Sequence, residues 1–73
     1  MIKIRVGIDG MACGMCEAHI CDVIRKTVPA ARKVKASRRR KEATFVTDDA
    51  VNESDLKSAI NATGYTFISM SVE

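Results

Sequence analysis

The residues able to do chemistry are concentrated in one stretch near the start of the chain, Asp9-Gly10-Met11-Ala12-Cys13-Gly14-Met15-Cys16-Glu17-Ala18. It holds two of the three cysteines and two of the four methionines. Cys13 and Cys16 form a C-x-x-C pair placed where a strand pattern gives way to a helix pattern. At a helix N-terminus, unpaired backbone N–H groups and the positive end of the helix dipole favour thiolate over thiol. Two thiolates this close either bind a soft metal ion or undergo redox exchange. The remaining residues decide between these chemistries.

The elements that must position the pair follow from periodicity. Ile2, Ile4, Val6 and Ile8 alternate with Lys3, Arg5, Gly7 and Asp9, the period-two pattern of a half-buried strand, and Gly10 ends it. From about Gly14 to Thr27 the apolar positions are Cys16, Ile20, Val23, Ile24 and Thr27/Val28, spaced by three and four. Glu17, Asp22, Arg25 and Lys26 fall off that stripe, so the segment is an amphipathic helix, stopped by Pro29. Residues 33–36 alternate again as a short strand. A polar connector follows, Ser37-Arg38-Arg39-Arg40-Lys41, and then a third strand over Glu42 to Thr47 with Ala43 and Phe45 on one face.

Asp48-Asp49 turns the chain, and Asn52 is placed as the N-cap of a second helix, with Asp55 three residues on. Leu56, Ala59 and Ile60 give that helix its core stripe, and Gly64 suits a left-handed C-terminal cap. The last strand runs from about Thr66 to Val72, with Ile68, Met70 and Val72 expected in one phase.

The order β-α-β-β-α-β predicts an α+β fold of the ferredoxin-like kind. Two right-handed crossovers give a four-stranded antiparallel sheet with both helices on one face. Seventy-three residues make a single domain, 1–73, with no internal linker. Aromatics are only 4% and Trp is absent, so the core must be aliphatic. No apolar run reaches the roughly 18 residues of a membrane span, and no signal-peptide pattern opens the chain. Three cysteines cannot all pair, which suits reduced thiols and a cytoplasmic location.

Charge is uneven along the chain. Residues 1–41 carry eleven Lys/Arg against Asp9, Glu17 and Asp22, a net +8; residues 42–73 carry Lys57 against six acids, a net −5. The asymmetry points to an anion or an acidic partner surface. In this topology the C-x-x-C loop, the Arg38, Arg39, Arg40 and Lys41 hairpin, and Tyr65 all lie at one end of the domain.

Gly10-Met11-Ala12-Cys13-Gly14-Met15-Cys16, taken with the element order and Gly64-Tyr65, resembles the heavy-metal-associated domain family. That family comprises copper chaperones, N-terminal domains of metal-pumping P-type ATPases and periplasmic mercury-binding proteins. The resemblance covers nearly the whole chain. It implies a non-enzymatic protein in which Cys13 and Cys16 bind Cu(I) and pass it to a partner by ligand exchange. The partner it implies is a metal-transporting P-type ATPase or another acceptor with exposed thiols and an acidic face. It also implies a monomer, or a dimer bridged by metal.

Coordination chemistry agrees independently. Cu(I) accepts two thiolates in near-linear geometry, whereas Zn(II) prefers four tetrahedral ligands. Two cysteines on an open loop therefore suit Cu(I) or Hg(II). Zinc-exporting relatives often carry Asp before the first cysteine, and here that place is Ala12. Zn(II) stays an alternative, as does a place within an ATPase.

The neighbouring residues divide between bland and functional roles. The resemblance implies that Met11 packs beneath the loop, whereas Met15, lying between the cysteines, is expected to face solvent. Tyr65, by the same resemblance, supports the loop from beside it. Cys21 lies about 7.5 Å along the helix from Cys16 and is rotated by some 140°, so it is expected to be a half-buried structural thiol. His19 is within side-chain reach of Cys16 but points away from the stripe. Arg38, Arg39, Arg40 and Lys41 form either a solvated tip or a surface for docking a partner.

Three rival readings are weaker. A thioredoxin-like oxidoreductase wants a longer chain and a W-C-G-P-C motif. A nucleic-acid module of this topology needs exposed sheet aromatics, and Phe45 is in the inward phase. A zinc site from Cys13, Cys16, His19 and Cys21 would break the helix at its best-patterned turn.

Overall fold

In the computed structural model, residues 2–12 and 14–73 are described. Met1 and Cys13 lie outside the described residues. Six elements follow in order: β1 (Ile2–Asp9), α1 (Gly14–Thr27), β2 (Arg32–Ser37), β3 (Glu42–Thr47), α2 (Glu53–Ala62) and β4 (Thr66–Val72). The strands form one antiparallel sheet in the order β2-β3-β1-β4. Each β-α-β crossover skips one strand position, which leaves β1 and β3 in the centre and β2 and β4 at the edges. This is the ferredoxin-like arrangement expected from the pattern.

The strand alternation becomes the inner face of the sheet. Ile4, Val6 and Ile8 of β1 and Ala43 and Phe45 of β3 are at most 2% exposed. They pack against Ile20, Val23 and Ile24 of α1 and Leu56 and Ile60 of α2. Full burial of one such aliphatic side chain is worth about 1.5–3 kcal/mol, and it is this layer that fixes the helices on the sheet. Thr47 is the one buried polar residue among those described. Its hydroxyl accepts the Asp49 N–H at 3.1 Å and so is not an uncompensated polar group.

The second helix begins as its sequence requires. Asn52 is extended and its side chain accepts the Asp55 N–H at 3.2 Å. Beyond Thr63, Gly64 takes φ +95, the left-handed conformation that ends the helix without a Cβ penalty.

The last strand departs from its pattern. Ile68, Met70 and Val72 read as one phase, but a bulge opposite Gly7 and Ile8 changes the count. Gly7 pairs with Ser69 and Ile8 with Phe67, so Ile68 is the extra residue. It stands over Gly7 on the open face, 57% exposed, where a Cβ on Gly7 would meet Ile68 Cβ at 3.4 Å and Ser69 Oγ at 3.0 Å. Phe67 takes the inward place beside Ile8 and packs against the core, as does Met70.

Candidate metal centre

The loop between β1 and α1 carries the pair. Asp9 closes its first turn, with Oδ1 accepting the Gly10 N–H at 2.9 Å. Gly10 itself has φ +98, a conformation that L side chains rarely adopt. Met11 is half-buried and packs against the core cluster, as expected, while Met15 is 83% exposed. Cys16 lies in the first turn of α1 and is half-buried. Cys13 lies outside the described residues, so the geometry is built from Cys16 and the groups around the loop.

Tyr65 flanks one side. A Cβ at Gly10 would meet Tyr65 Cδ1 at 3.6 Å, so the ring supports the loop where the backbone turns. His19, one turn beyond Cys16, places its ring edge-on to Tyr65 with centroids 5.8 Å apart. The imidazole is exposed but has an aromatic neighbour, a contact that the helical pattern alone did not indicate.

The β2–β3 hairpin flanks the other side. The Arg38 N–H donates to Glu17 Oε2 at 2.8 Å, joining the hairpin to the first turn of α1 across 21 residues. A Cβ at Gly14 would lie 3.9 Å from Arg38 Nη1 and 3.9 Å from Glu17 Oε1. The Arg38 guanidinium therefore sits beside the residue that follows Cys13 in the chain. Glu17 was not singled out from the sequence, where it is only an acid in a helix first turn. Its partner becomes visible once the hairpin is folded against α1.

The four hairpin cations do not act as one group. Arg38 faces the loop, and Lys41 lies 4.0 Å from Asp9 Oδ1. Arg40 turns to the open face of the sheet, where it lines a shallow trough of about 300 Å³ with Lys3, Arg5 and Lys35. Arg39 is simply exposed. Within the tip, the Ser37 hydroxyl accepts the Arg40 N–H at 3.2 Å.

Cys21 lies on another side of α1, with its thiol 3.9 Å from the Val34 carbonyl oxygen on β2. Burial pushes this thiol up from its ordinary value, partly countered by Arg25 and reinforced by Asp22 and Glu17. It is held in the protonated form and apart from the loop. Among the described residues no three His, Cys, Asp or Glu side chains converge as a metal cage. In particular Cys16, His19 and Cys21 form no such group: His19 packs edge-on to Tyr65 and the Cys21 thiol faces Val34. No helix among the described residues is long and apolar enough to cross a membrane.

Comparison with known proteins bears on this arrangement. The chain is 35% identical over 65 residues to a mercuric reductase of Bacillus cereus, which covers 89% of this chain and 10% of the relative. A mercuric reductase of Lysinibacillus sphaericus is 34% identical over the same length, with 12% of it covered. The chain thus spans about a tenth of the length of the curated relatives it matches. Among solved structures, a copper-binding domain from a P-type ATPase superposes with a TM-score of 0.74 at 27% identity, covering 100% of this chain and 95% of that one. The CopZ metallochaperone gives a TM-score of 0.76 at 21% identity, covering 90% and 98%, a likeness of fold. The profile of the heavy-metal-associated domain matches residues 5–66, and this chain belongs to that family.

Proposed function

We propose that this domain binds one soft metal ion, Cu(I) first, through Cys13 and Cys16, and passes it on by thiolate exchange without catalysing a reaction of its own. The observation that carries this reading is the setting of Cys16. It opens α1 at the end of the domain where Tyr65 and Arg38 close on the loop from two sides. Two thiolates satisfy Cu(I), and they leave it open to attack by a third. In transfer, an incoming thiolate adds to the metal, a three-coordinate species forms, and one cysteine leaves. The step repeats for the second cysteine, with no change in the metal's oxidation state. A pair that must stay reduced favours a reducing compartment such as the cytoplasm.

Hg(II) is the second reading, favoured by the two mercuric reductase relatives. It shares the preference for two thiolates, so the same residues serve. Zn(II) fits less well, because a pair of thiolates leaves half of its tetrahedral shell to water. The acceptor we infer is a metal-transporting P-type ATPase, or another protein with exposed thiols and an acidic face. Arg38, Arg39, Arg40 and Lys41 would meet that face.

Anaerobic titration with Cu(I), Hg(II) and Zn(II), each against a chelator of known affinity, tests the assignment. One equivalent of Cu(I) or Hg(II) should bind far more tightly than Zn(II). Replacing Cys13 and Cys16 together by Ser should abolish that binding and leave the fold intact, since the loop lies outside the core. Retained affinity in the double variant would place the site elsewhere.

A further inference from the structure

The face of the sheet turned away from the helices concentrates the charge of the chain. β3 lies between β2 and β1, and its outward residues alternate with the buried Ala43, Phe45 and Thr47. On the outward side Thr44 pairs with Arg5 of β1 and with Lys35 of β2. Val46, the next outward residue, pairs with Lys3. β3 thus forms a floor between two cationic walls, whose backbones stand about 10 Å apart. Lys3, Arg5, Lys35 and Arg40 line the trough of about 300 Å³ above Thr44. A second trough of about 290 Å³ continues it past Val46, between Lys3, Lys33 and Lys35.

The acids nearby do not balance these walls. Glu42 lines the first trough, and Glu42 and Glu73 approach Arg5 at 3.8 and 2.9 Å. With both carboxylates counted, five cations meet two acids, a net +3 that equals the net charge of the whole chain. At the Val46 end Arg32 and Asp48 pair at 2.6 Å and cancel. Among the described residues Lys3, Lys33, Lys35 and Arg40 enter no ion pair, and the Thr44 hydroxyl makes no hydrogen bond. Like charges facing one another across a sheet repel, and a trough walled by one sign concentrates the opposite sign.

The donor set selects among anions. Ammonium, guanidinium and hydroxyl groups together suit phosphoryl oxygens. The levels of Thr44 and Val46 lie roughly 7 Å apart along β3, so several linked phosphoryl groups reach both levels and a single phosphate reaches one. Bases would find nothing to stack on: Phe45 is buried, Phe67 packs against the core and Tyr65 flanks the β1–α1 loop. We propose that the open face of the sheet is a binding site for a soluble oligophosphate, with Arg5, Lys35, Arg40 and the Thr44 hydroxyl around one end and Lys3 and Lys33 around the other. The site uses no residue of the cysteine loop and stands independently of the metal reading.

The probes are orthophosphate, pyrophosphate and inorganic tripolyphosphate, titrated calorimetrically into the domain in metal-free buffer of low ionic strength. Affinity should rise with each added phosphoryl group. Replacing Lys3 and Lys35 together, as Lys3→Gln with Lys35→Gln, should lower tripolyphosphate affinity about tenfold, about threefold for each charge lost. Lys26→Gln with Lys57→Gln removes the same charge from the two helices and should change it less than about twofold. Thr44→Val keeps the shape of the floor and should cost about threefold through the lost hydroxyl donor. Amide shifts on titration should centre on Lys3, Arg5, Lys35 and Thr44. Equal losses in the two paired variants would reduce the effect to net charge and overturn the site. Tighter binding of oligothymidylate, or of phosphatidylcholine–phosphatidylserine vesicles, than of tripolyphosphate would overturn the ligand class, assigning the face to nucleic acid or to a membrane surface.

Discussion

The two ends of this domain are closed in different ways. At the end away from the loop, the chain secures itself with near neighbours. Val28 N–H donates to Ile24, Ala31 to Val28, Asp49 to the Thr47 hydroxyl, and Asp55 to the Asn52 side chain. One longer tie, Arg32 to Asp48 at 2.6 Å, joins the two strands there. At the loop end local bonds such as Asp9 with Gly10 and Ser37 with Arg40 are joined by several contacts between residues distant in sequence: Glu17 with Arg38, Tyr65 with Gly10 and His19, and Lys41 with Asp9. Local closure needs little beyond the right residue at the right place in a turn. Distant closure needs the whole sheet in order first, and it lets several elements converge on one short loop. The first arrangement serves stability, and the second places groups around the cysteines.

The strongest way to break this contrast is Tyr65→Ala. It removes a half-buried ring that supports both Gly10 and His19, and it should cost about 2 kcal/mol, below the range for a fully buried aromatic. If the loop end is organised for function, the same change should also speed metal release to a chelator, by about tenfold for a lost supporting group. Denaturation midpoints and stopped-flow release rates on the same samples test both parts. A stability loss with unchanged release would make Tyr65 a packing residue alone.

Asn52→Ala probes the opposite end. Loss of the cap should cost about 1 kcal/mol, roughly 4–8 °C in Tm for a domain of this size. Metal affinity should not move, because the cap belongs to the self-contained end. A change in affinity in this variant would show that the two ends are coupled through the sheet.

The smallest effect is expected at Cys21, which shares α1 with Cys16 but turns its thiol to the Val34 carbonyl on β2. Cys21→Ala should leave metal affinity within about threefold of the parent, since helix geometry keeps this thiol from the loop. Its signature lies in alkaline stability. Burial raises the thiol above its ordinary value in the folded state, so its contribution is fully present below the unfolded pKa and is lost as pH rises through the folded one. Urea midpoints measured from neutral to alkaline pH should therefore fall less steeply in Cys21→Ala than in the parent. Matching slopes would show that Cys21 titrates as if unfolded.

By itself, the sequence determined every feature whose cause lies within a turn or along one strand. The alternation of Ile2 to Ile8 sets β1, the three-and-four spacing from Cys16 to Ile24 sets α1, Asn52 starts α2, and Gly64 ends it. The element order then leaves few topologies, and the C-x-x-C motif stands out whatever the fold. Tertiary structure alone decided the rest. Ile68 leaves the phase of Met70 and Val72 because strand pairing with Gly7 and Ile8 places a bulge there, a choice that residues 66–72 do not make by themselves. The hairpin cations look equivalent in a run, yet Arg38 faces Gly14, Arg40 faces the open trough and Lys41 faces Asp9. Glu17 finds a hairpin N–H and His19 finds Tyr65 only when α1 lies across the assembled sheet. The physical reason is range. Backbone propensity and capping act over about four residues, whereas these contacts depend on where a folded sheet brings separate elements together.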